Sequence, residues 1–395
     1  MKPYFSTLLF ILFAFGCKRP EVPLAIRNDV DSIVYQFVPD KREAVWDVNF
    51  ELLKDKKILI KGETSIPEAK NEILEYFAQA GIESIDSLEV LPDTSDVGKL
   101  WGIVTVSVCN IKKEPSHSSE MVTQAIMGTP VKILKKSDNW LLIQTPDYYI
   151  GWATGSSIKG HDETEMAEWK KSKRLIFTEK SGDILSDSGD QSVVSDIVAG
   201  SIVSLVSEQR ENYIVRLPDG RQGLLNKKSS VNFCNYCHEI KPEADKLISF
   251  AKSMTGTPYM WGGTSTKLVD CSGFVKTVYF MGGIILSRDA SQQFLHGEEV
   301  DISNSLDVLR PGDLLFFGSI NEKGKERITH TGMYIGNKEF IHSSVSNGMV
   351  WNNSLDSTKS NYSSSLIKIL MGARRIIGTE PARGIEHIAS HKWYN

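Results

Sequence analysis

The chain has 395 residues, 41% of them apolar and 24% charged, with a formal net charge of −4. That balance excludes a disordered chain and a strongly basic nucleic-acid binder, so no nucleic-acid partner is expected. The length exceeds one ordinary core and predicts two to four domains of roughly 100–200 residues each.

The first seventeen residues read as an export signal. Lys2 supplies a short basic start, and residues 5–15 form an apolar run too short to span a membrane as a mature helix. The run ends at Phe15-Gly16-Cys17, which resembles a bacterial lipoprotein cleavage box, although Ala14 and Phe15 stand where that box prefers Leu and a small residue. The expectation is export followed by membrane anchoring through lipid on Cys17, in the periplasm or at the cell surface, with plain secretion as the alternative. Four further cysteines follow: Cys109, Cys234, Cys237 and Cys271. Cys109 lies in the alternating run Val104–Cys109 and reads as a strand position without chemistry, whereas a free Cys271 in an oxidising compartment needs another explanation.

Residues 18 to about 45 read as a tether leading into a small N-terminal α/β unit that ends near residue 98. Within it, Lys57–Ile60 reads as a strand and Ser65-Ile66-Pro67-Glu68 as a capping box with Pro near the first turn. A helix through Ile73, Leu74 and Phe77 should stop near Gly81, and Leu88–Leu91 reads as a second strand. No chemistry is legible there.

Next comes an internal repeat offset by 72 residues, which lays Gly128-Thr129-Pro130-Val131 on Gly200-Ser201-Ile202-Val203, Pro146-Asp147 on Pro218-Asp219, and Gly151 on Gly223. Short β-branched strands between turn residues predict two consecutive small barrels, over residues 99–160 and 165–232. The phrase from Trp140 to Trp152 resembles the end of a bacterial SH3-like domain, and the second copy is the more diverged. From residue 243 the pattern changes to helices followed by strands, an α+β order that runs to about 378 and leaves residues 379–395 as a C-terminal tail.

Asp270 is a good N-cap for a helix of Phe274, Val275, Val278 and Tyr279, which places Cys271 in the first turn, where unpaired N–H groups favour a thiolate. On position alone a small buried Cys starting a core helix fits as well. His330 and His342 both lie six residues from Gly336, in strands flanking a predicted turn at Gly336-Asn337, so a tight hairpin brings them close together. Two adjacent imidazoles suit a base and its orienter, His330 taking the Cys271 proton and His342 fixing the tautomer. A metal site is the poorer reading, because no carboxylate stands nearby in metal-ligand spacing.

Residues 243–378 resemble the NlpC-type cysteine peptidases, a papain-like family marked by a D-C-S-G-[FL] helix start and an H-[TV]-G-[ML]-Y-[IL]-G strand. Here these are Asp270-Cys271-Ser272-Gly273-Phe274 and His330–Gly336, with Leu309–Phe317 matching the strand between them. The resemblance implies Cys271 as nucleophile, His330 as base, His342 as third polar member, and a Tyr259 hydroxyl assisting at the oxyanion. Asp270 and Ser272 would contact substrate, and Asp289 and Ser291 would line the far wall. It implies no cofactor and no metal, with a monomer expected.

The two barrels resemble those of a subgroup of γ-D-glutamyl-L-diamino acid endopeptidases, the dipeptidyl peptidase VI type, in which the first barrel closes one end of the cleft. This implies murein peptides bearing a free N-terminal L-Ala as substrate, with Glu120 pairing with the ammonium and Tyr149 closing around it. The alternatives are an endopeptidase acting on intact peptidoglycan and a non-catalytic wall-binding lipoprotein. In the second barrel these positions are Ser192 and Arg221, which points to a scaffold. Finally, Cys234–Cys237-His238 fits the C-x-x-C-H haem pattern, but it stands in a linker, where a local disulfide or incidental thiols are the better expectation.

Overall fold

The computed structural model describes residues 21–395. The export signal and Cys17 therefore lie outside the described residues. The described chain separates into two compact units, one holding residues up to Lys41 together with Val45–Val90, the other Arg42–Ala44 together with Leu91–Asn395.

In the first unit, strands Trp46–Leu52, Ile58–Thr64 and Ser84–Val90 form a sheet in that order, the first pair antiparallel and the second parallel. The parallel pair is joined by the helix Pro67–Gln79, which buries Ala69, Ile73 and Phe77 on one face. Its start differs from the expected capping box: the N-cap is Ile66 with no side-chain bond, because the Ser65 hydroxyl instead accepts from the Val45 N–H at 2.9 Å. The stretch expected as a tether holds a helix, Leu24–Phe37, with Val30 and Val34 buried. Ile26, Val30, Ile33, Val34 and Phe37 supply its helical period.

The second unit begins with two seven-stranded barrels of the same topology. The first comprises 101–104, 108–112, 121–126, 130–137, 140–144, 150–154 and 158–161, and the second 174–177, 181–185, 193–198, 202–208, 212–216, 222–226 and 230–232. Taken as first to seventh in each copy, the strands pair in the sheet order seventh, first, fourth, fifth, sixth, second, third. Core residues correspond across the repeat: Val131 and Val203, Ile143 and Val215, Ala125 and Ile197, and Ala153 and Leu225 are all buried. Cys109 is part of the first barrel's core, and burial pushes its thiol up to about 12. A helix, Glu163–Lys171, links the copies and starts with a capping box of Asp162 and Glu165.

The remaining chain is α+β. Helices Ala244–Ser253 and Cys271–Phe280 pack on a six-stranded antiparallel sheet in the order 298–300, 370–375, 314–320, 326–336, 339–344, 349–354. The expected C-terminal tail is an integral part of this unit. Ile385–His387 pairs with Ile284–Leu286, and Ile388 and Tyr394 are buried among Ile176, Phe233, Tyr236 and Ile285. All four described cysteines are free, Cys234 exposed and Cys237 buried in that same cluster. The Cys234–Cys237 disulfide is thus not formed.

Candidate active site

The helix Cys271–Phe280 starts as expected: Asp270 Oδ1 accepts from the Gly273 N–H at 2.7 Å, and Cys271 occupies the first turn. Gly273 has no room for a side chain, since a Cβ there would fall 1.9 Å from the Gly263 carbonyl oxygen. The Gly262-Gly263 turn therefore seats the helix start closely, and Gly262 N–H donates to Asp270 Oδ2 at 2.9 Å.

The strand Glu326–Gly336 lies against this helix. The backbone N–H of Thr331, the residue after His330, and that of Ser272 face the Cys271 sulfur. Across the hairpin, His330 Nε2 and His342 Nδ1 are 2.6 Å apart. The turn is Asn337-Lys338, both with positive φ (54° and 60°), and a bulge follows Tyr334. The expected turn at Gly336-Asn337 is thus one residue off. Met333 pairs with Ile341, so His342 lies beside Gly332 and the two rings meet diagonally. Gly332 permits this, because a Cβ there would sit 2.9 Å from His342 Cβ.

The tautomers follow from the next bond outward. Asn353 Nδ2 donates to the Asn361 carbonyl at 2.8 Å, which fixes Asn353 Oδ1 as the acceptor 2.9 Å from His342 Nε2. His342 then carries its proton on Nε2 and accepts at Nδ1 from His330 Nε2–H, leaving His330 Nδ1 as the basic nitrogen. Sequence reasoning missed Asn353, since no spacing rule ties it to His342 before the register is known.

Burial dominates the proton affinities of this pair. Burial, and then the Asp270 carboxylate, push the Cys271 thiol up to about 12, against the pull of the Thr331 N–H, Arg288 and the Ser272 N–H. The helix start alone does not favour a thiolate here, contrary to the sequence expectation. Burial, and then His342, hold His330 down to about 3. Both shifts favour the uncharged forms, a neutral thiol and a neutral imidazole. Tyr259, raised to about 12 by burial and by Cys271, remains a hydroxyl donor at neutral pH.

A cavity of about 400 Å³ opens beside Cys271 and is lined by Glu120 and Tyr149 of the first barrel together with Asp270, Ser272, Asp289 and Ser291. Trp261 Nε1 donates to Glu120 Oε1 at 2.8 Å, and Tyr149 hydroxyl donates to Asp289 Oδ2 at 3.3 Å. Burial, then Asp289, raise the Tyr149 hydroxyl further. Asp270 and Ser272 line the cavity with their polar atoms already engaged. Arg288, 1% exposed, donates to both Asp270 oxygens at 3.2 and 2.6 Å, to Ser272 Oγ at 2.9 Å, and to Thr123 Oγ1 of the first barrel at 2.9 Å. Arg288 was passed over in the sequence, although it stands two residues after the apolar run Ile284–Leu286, where a charge that is carried into the core needs a partner. Among the described residues no group of His, Cys, Asp and Glu is arranged to hold a metal ion.

The NlpC/P60 family profile matches residues 256–373, and a profile described as the bacterial dipeptidyl-peptidase SH3 domain matches residues 111–158. The Bacillus cereus protein named gamma-D-glutamyl-L-lysine dipeptidyl-peptidase is 28% identical over 269 residues, covering 66% of this chain and 78% of that one. A probable endopeptidase NlpC homolog of Haemophilus influenzae is 34% identical over 135 residues, 32% of this chain and 67% of its own. A crystal structure of an NlpC/P60 family protein from Bacillus cereus superposes with a TM-score of 0.61 at 25% identity, over 70% of this chain and 99% of that one.

Proposed function

The chain belongs to the NlpC/P60 family of cysteine peptidases, and from that premise we propose that it hydrolyses the γ-D-Glu–diamino acid bond of L-Ala-γ-D-Glu-diamino acid peptides, releasing the dipeptide. The observation that carries this reading is that Glu120 and Tyr149 of the first barrel line the same cavity as Cys271. A carboxylate in the wall of the cleft selects a cationic terminus in a way an apolar wall does not.

In the reaction, His330 Nδ1 takes the Cys271 proton as the sulfur attacks the γ-carbonyl carbon. The tetrahedral oxyanion is met by the Cys271 N–H and the Tyr259 hydroxyl. The imidazolium then gives its proton to the departing amine of the diamino acid, leaving a thioester. Water, deprotonated by His330, attacks the thioester and frees L-Ala-D-Glu together with the thiol. His342 and Asn353 hold the His330 ring and its tautomer throughout.

The test is digestion of the free and the N-acetylated tripeptide, read by mass. Free tripeptide should yield L-Ala-D-Glu, and acetylation should suppress it. Equal cleavage of both, or turnover of intact peptidoglycan, favours a wall endopeptidase, and an undiminished rate in Cys271→Ala removes the nucleophile assignment. Export and acylation at Cys17 belong to the same proposal, supported by the apolar run of residues 5–15. Membrane-phase partitioning lost in Cys17→Ser is its check.

A further inference from the structure

Arg42-Glu43-Ala44 lies far from the catalytic residues in sequence, in a stretch to which the sequence assigns no chemistry, yet it is built into the wall of the cleft. The first barrel holds its backbone: Ile150 N–H donates to the Arg42 carbonyl at 2.8 Å, and Gln144 Nε2 donates to the Glu43 carbonyl at 2.9 Å. The catalytic domain holds its side chain. Glu43, with its carboxylate only 11% exposed, accepts from Gln292 Nε2 at 2.8 Å and from Arg383 Nη2 at 2.5 Å. So pinned on both sides, Arg42 extends over the cavity. Its Nη1 donates to Asp289 Oδ2 at 2.7 Å and to Ser291 Oγ at 3.0 Å.

This leaves the two carboxylates at the far end of the cleft in different electrostatic states. Asp289 stands between two guanidinium groups, Arg42 on Oδ2 and Arg288 Nη1 at 3.8 Å from Oδ1, and also accepts from the Tyr149 hydroxyl. Glu120 accepts from the neutral Trp261 indole and makes no ion pair among the described residues. An incoming ammonium finds at Glu120, which is exposed to the cleft, a carboxylate with no cation paired to it, whereas at Asp289 it meets a carboxylate already paired and a cation beside it.

We propose that Arg42 is a specificity-determining residue: by occupying Asp289 it makes Glu120 the receptor for the substrate's terminal ammonium. The inference rests on the peptidase reading above and adds to it the residue that decides which carboxylate reads the amine. The ligand class is a short peptide with a cationic amino terminus. Asp289, carried over from the family resemblance as a substrate contact, acts in this chain as the anchor for Arg42.

The test uses the purified mature protein, the free and N-acetylated tripeptides, and the ratio of their kcat/KM values. Glu120→Gln should collapse that ratio by roughly tenfold, toward parity. Adding Arg42→Gln to Glu120→Gln releases Asp289 and should restore at least about fivefold of discrimination, through KM rather than kcat. Arg42→Lys in the same background keeps a cation on Asp289 and should restore none, and a thermal melt verifies that each variant folds. A double variant that discriminates no better than Glu120→Gln overturns the inference. So does Arg42→Gln alone raising KM for the free tripeptide by about tenfold, which would mean that Arg42 binds an anionic group of the substrate. If the wild-type protein does not cleave the free tripeptide at all, it is the peptidase specificity that fails, so the two failures are distinguishable.

Discussion

At the residue scale, desolvation raises the Cys271 thiol and lowers the His330 imidazole, so both charged forms are penalised. With the thiol raised to about 12 and the ring lowered to about 3, both shifts favour the neutral forms, and in the proposed mechanism the thiolate arises only as substrate is attacked. The consequence is visible without substrate. Alkylation of Cys271 by iodoacetamide should accelerate steadily as pH rises through and beyond neutrality, with no plateau between mildly acid and neutral pH. A plateau there would show a preformed thiolate–imidazolium pair and refute the buried neutral site. The same shift acts on the fold with a definite sign. The unfolded chain binds the His330 proton at about 6.5, whereas the folded ring binds it only near 3, so stability falls as pH drops through that window. The sequence singled out Cys271, His330 and His342 as candidates, from D-C-S-G and the paired histidines. It did not reveal their protonation, because desolvation depends on how completely strand and helix close over them.

At the scale of elements, the hairpin that carries both histidines explains why their placement was legible and their register was not. Counting from Gly336 places the rings near each other, but the two-residue turn at Asn337-Lys338 and the bulge after Tyr334 displace His342 onto Gly332. A bulge leaves no periodic trace in the sequence, so the diagonal contact at 2.6 Å appears only in three dimensions. Asn353 was hidden for the same reason, since its strand partner is fixed by that register. The site therefore depends on a glycine that touches no substrate. Gly332→Ala introduces a Cβ 2.9 Å from His342 Cβ and 3.2 Å from the Ile341 carbonyl, on a side chain with no exposure and no slack. The expected result is a fall in kcat of about 100-fold with KM little changed, because the base is displaced while the binding wall is untouched. A variant with wild-type kcat would show that His330 does not depend on His342 for its position.

At the scale of the whole molecule, the two copies of one fold meet the cleft differently. The copies share strand order and core positions, so the 72-residue offset sufficed to read both barrels, yet only the first presents Glu120 and Tyr149 to the cleft. In the second, Arg221 turns to Asp219 at 2.7 Å and to the Val194 carbonyl at 2.6 Å, a local bond network facing no cavity of the active site. What the second barrel does provide is a docking face, and the C-terminal residues complete it. The sequence left residues 379–395 as a tail because Ile385, Ile388, Trp393 and Tyr394 are scattered among polar neighbours. In the folded chain Tyr394 is 2% exposed and packs against Phe233, which opens the helix Phe233–Glu239 after the second barrel, and Phe280, which ends the helix Cys271–Phe280, with ring centroids at 6.1 and 6.4 Å. Together with Ile285 and Ile388, this side chain thus joins the second barrel to the far end of the helix that begins at Cys271. Tyr394→Ala removes that ring from a site that cannot refill it, and should cost about 3–5 kcal/mol in denaturant unfolding. That is a large share of the stability of an ordinary domain, so the variant should also lose activity at temperatures the wild-type protein tolerates. A cost below about 1 kcal/mol would place the C-terminal segment outside the cooperative core, and the second barrel would then have to be held against the catalytic domain by its other contacts alone.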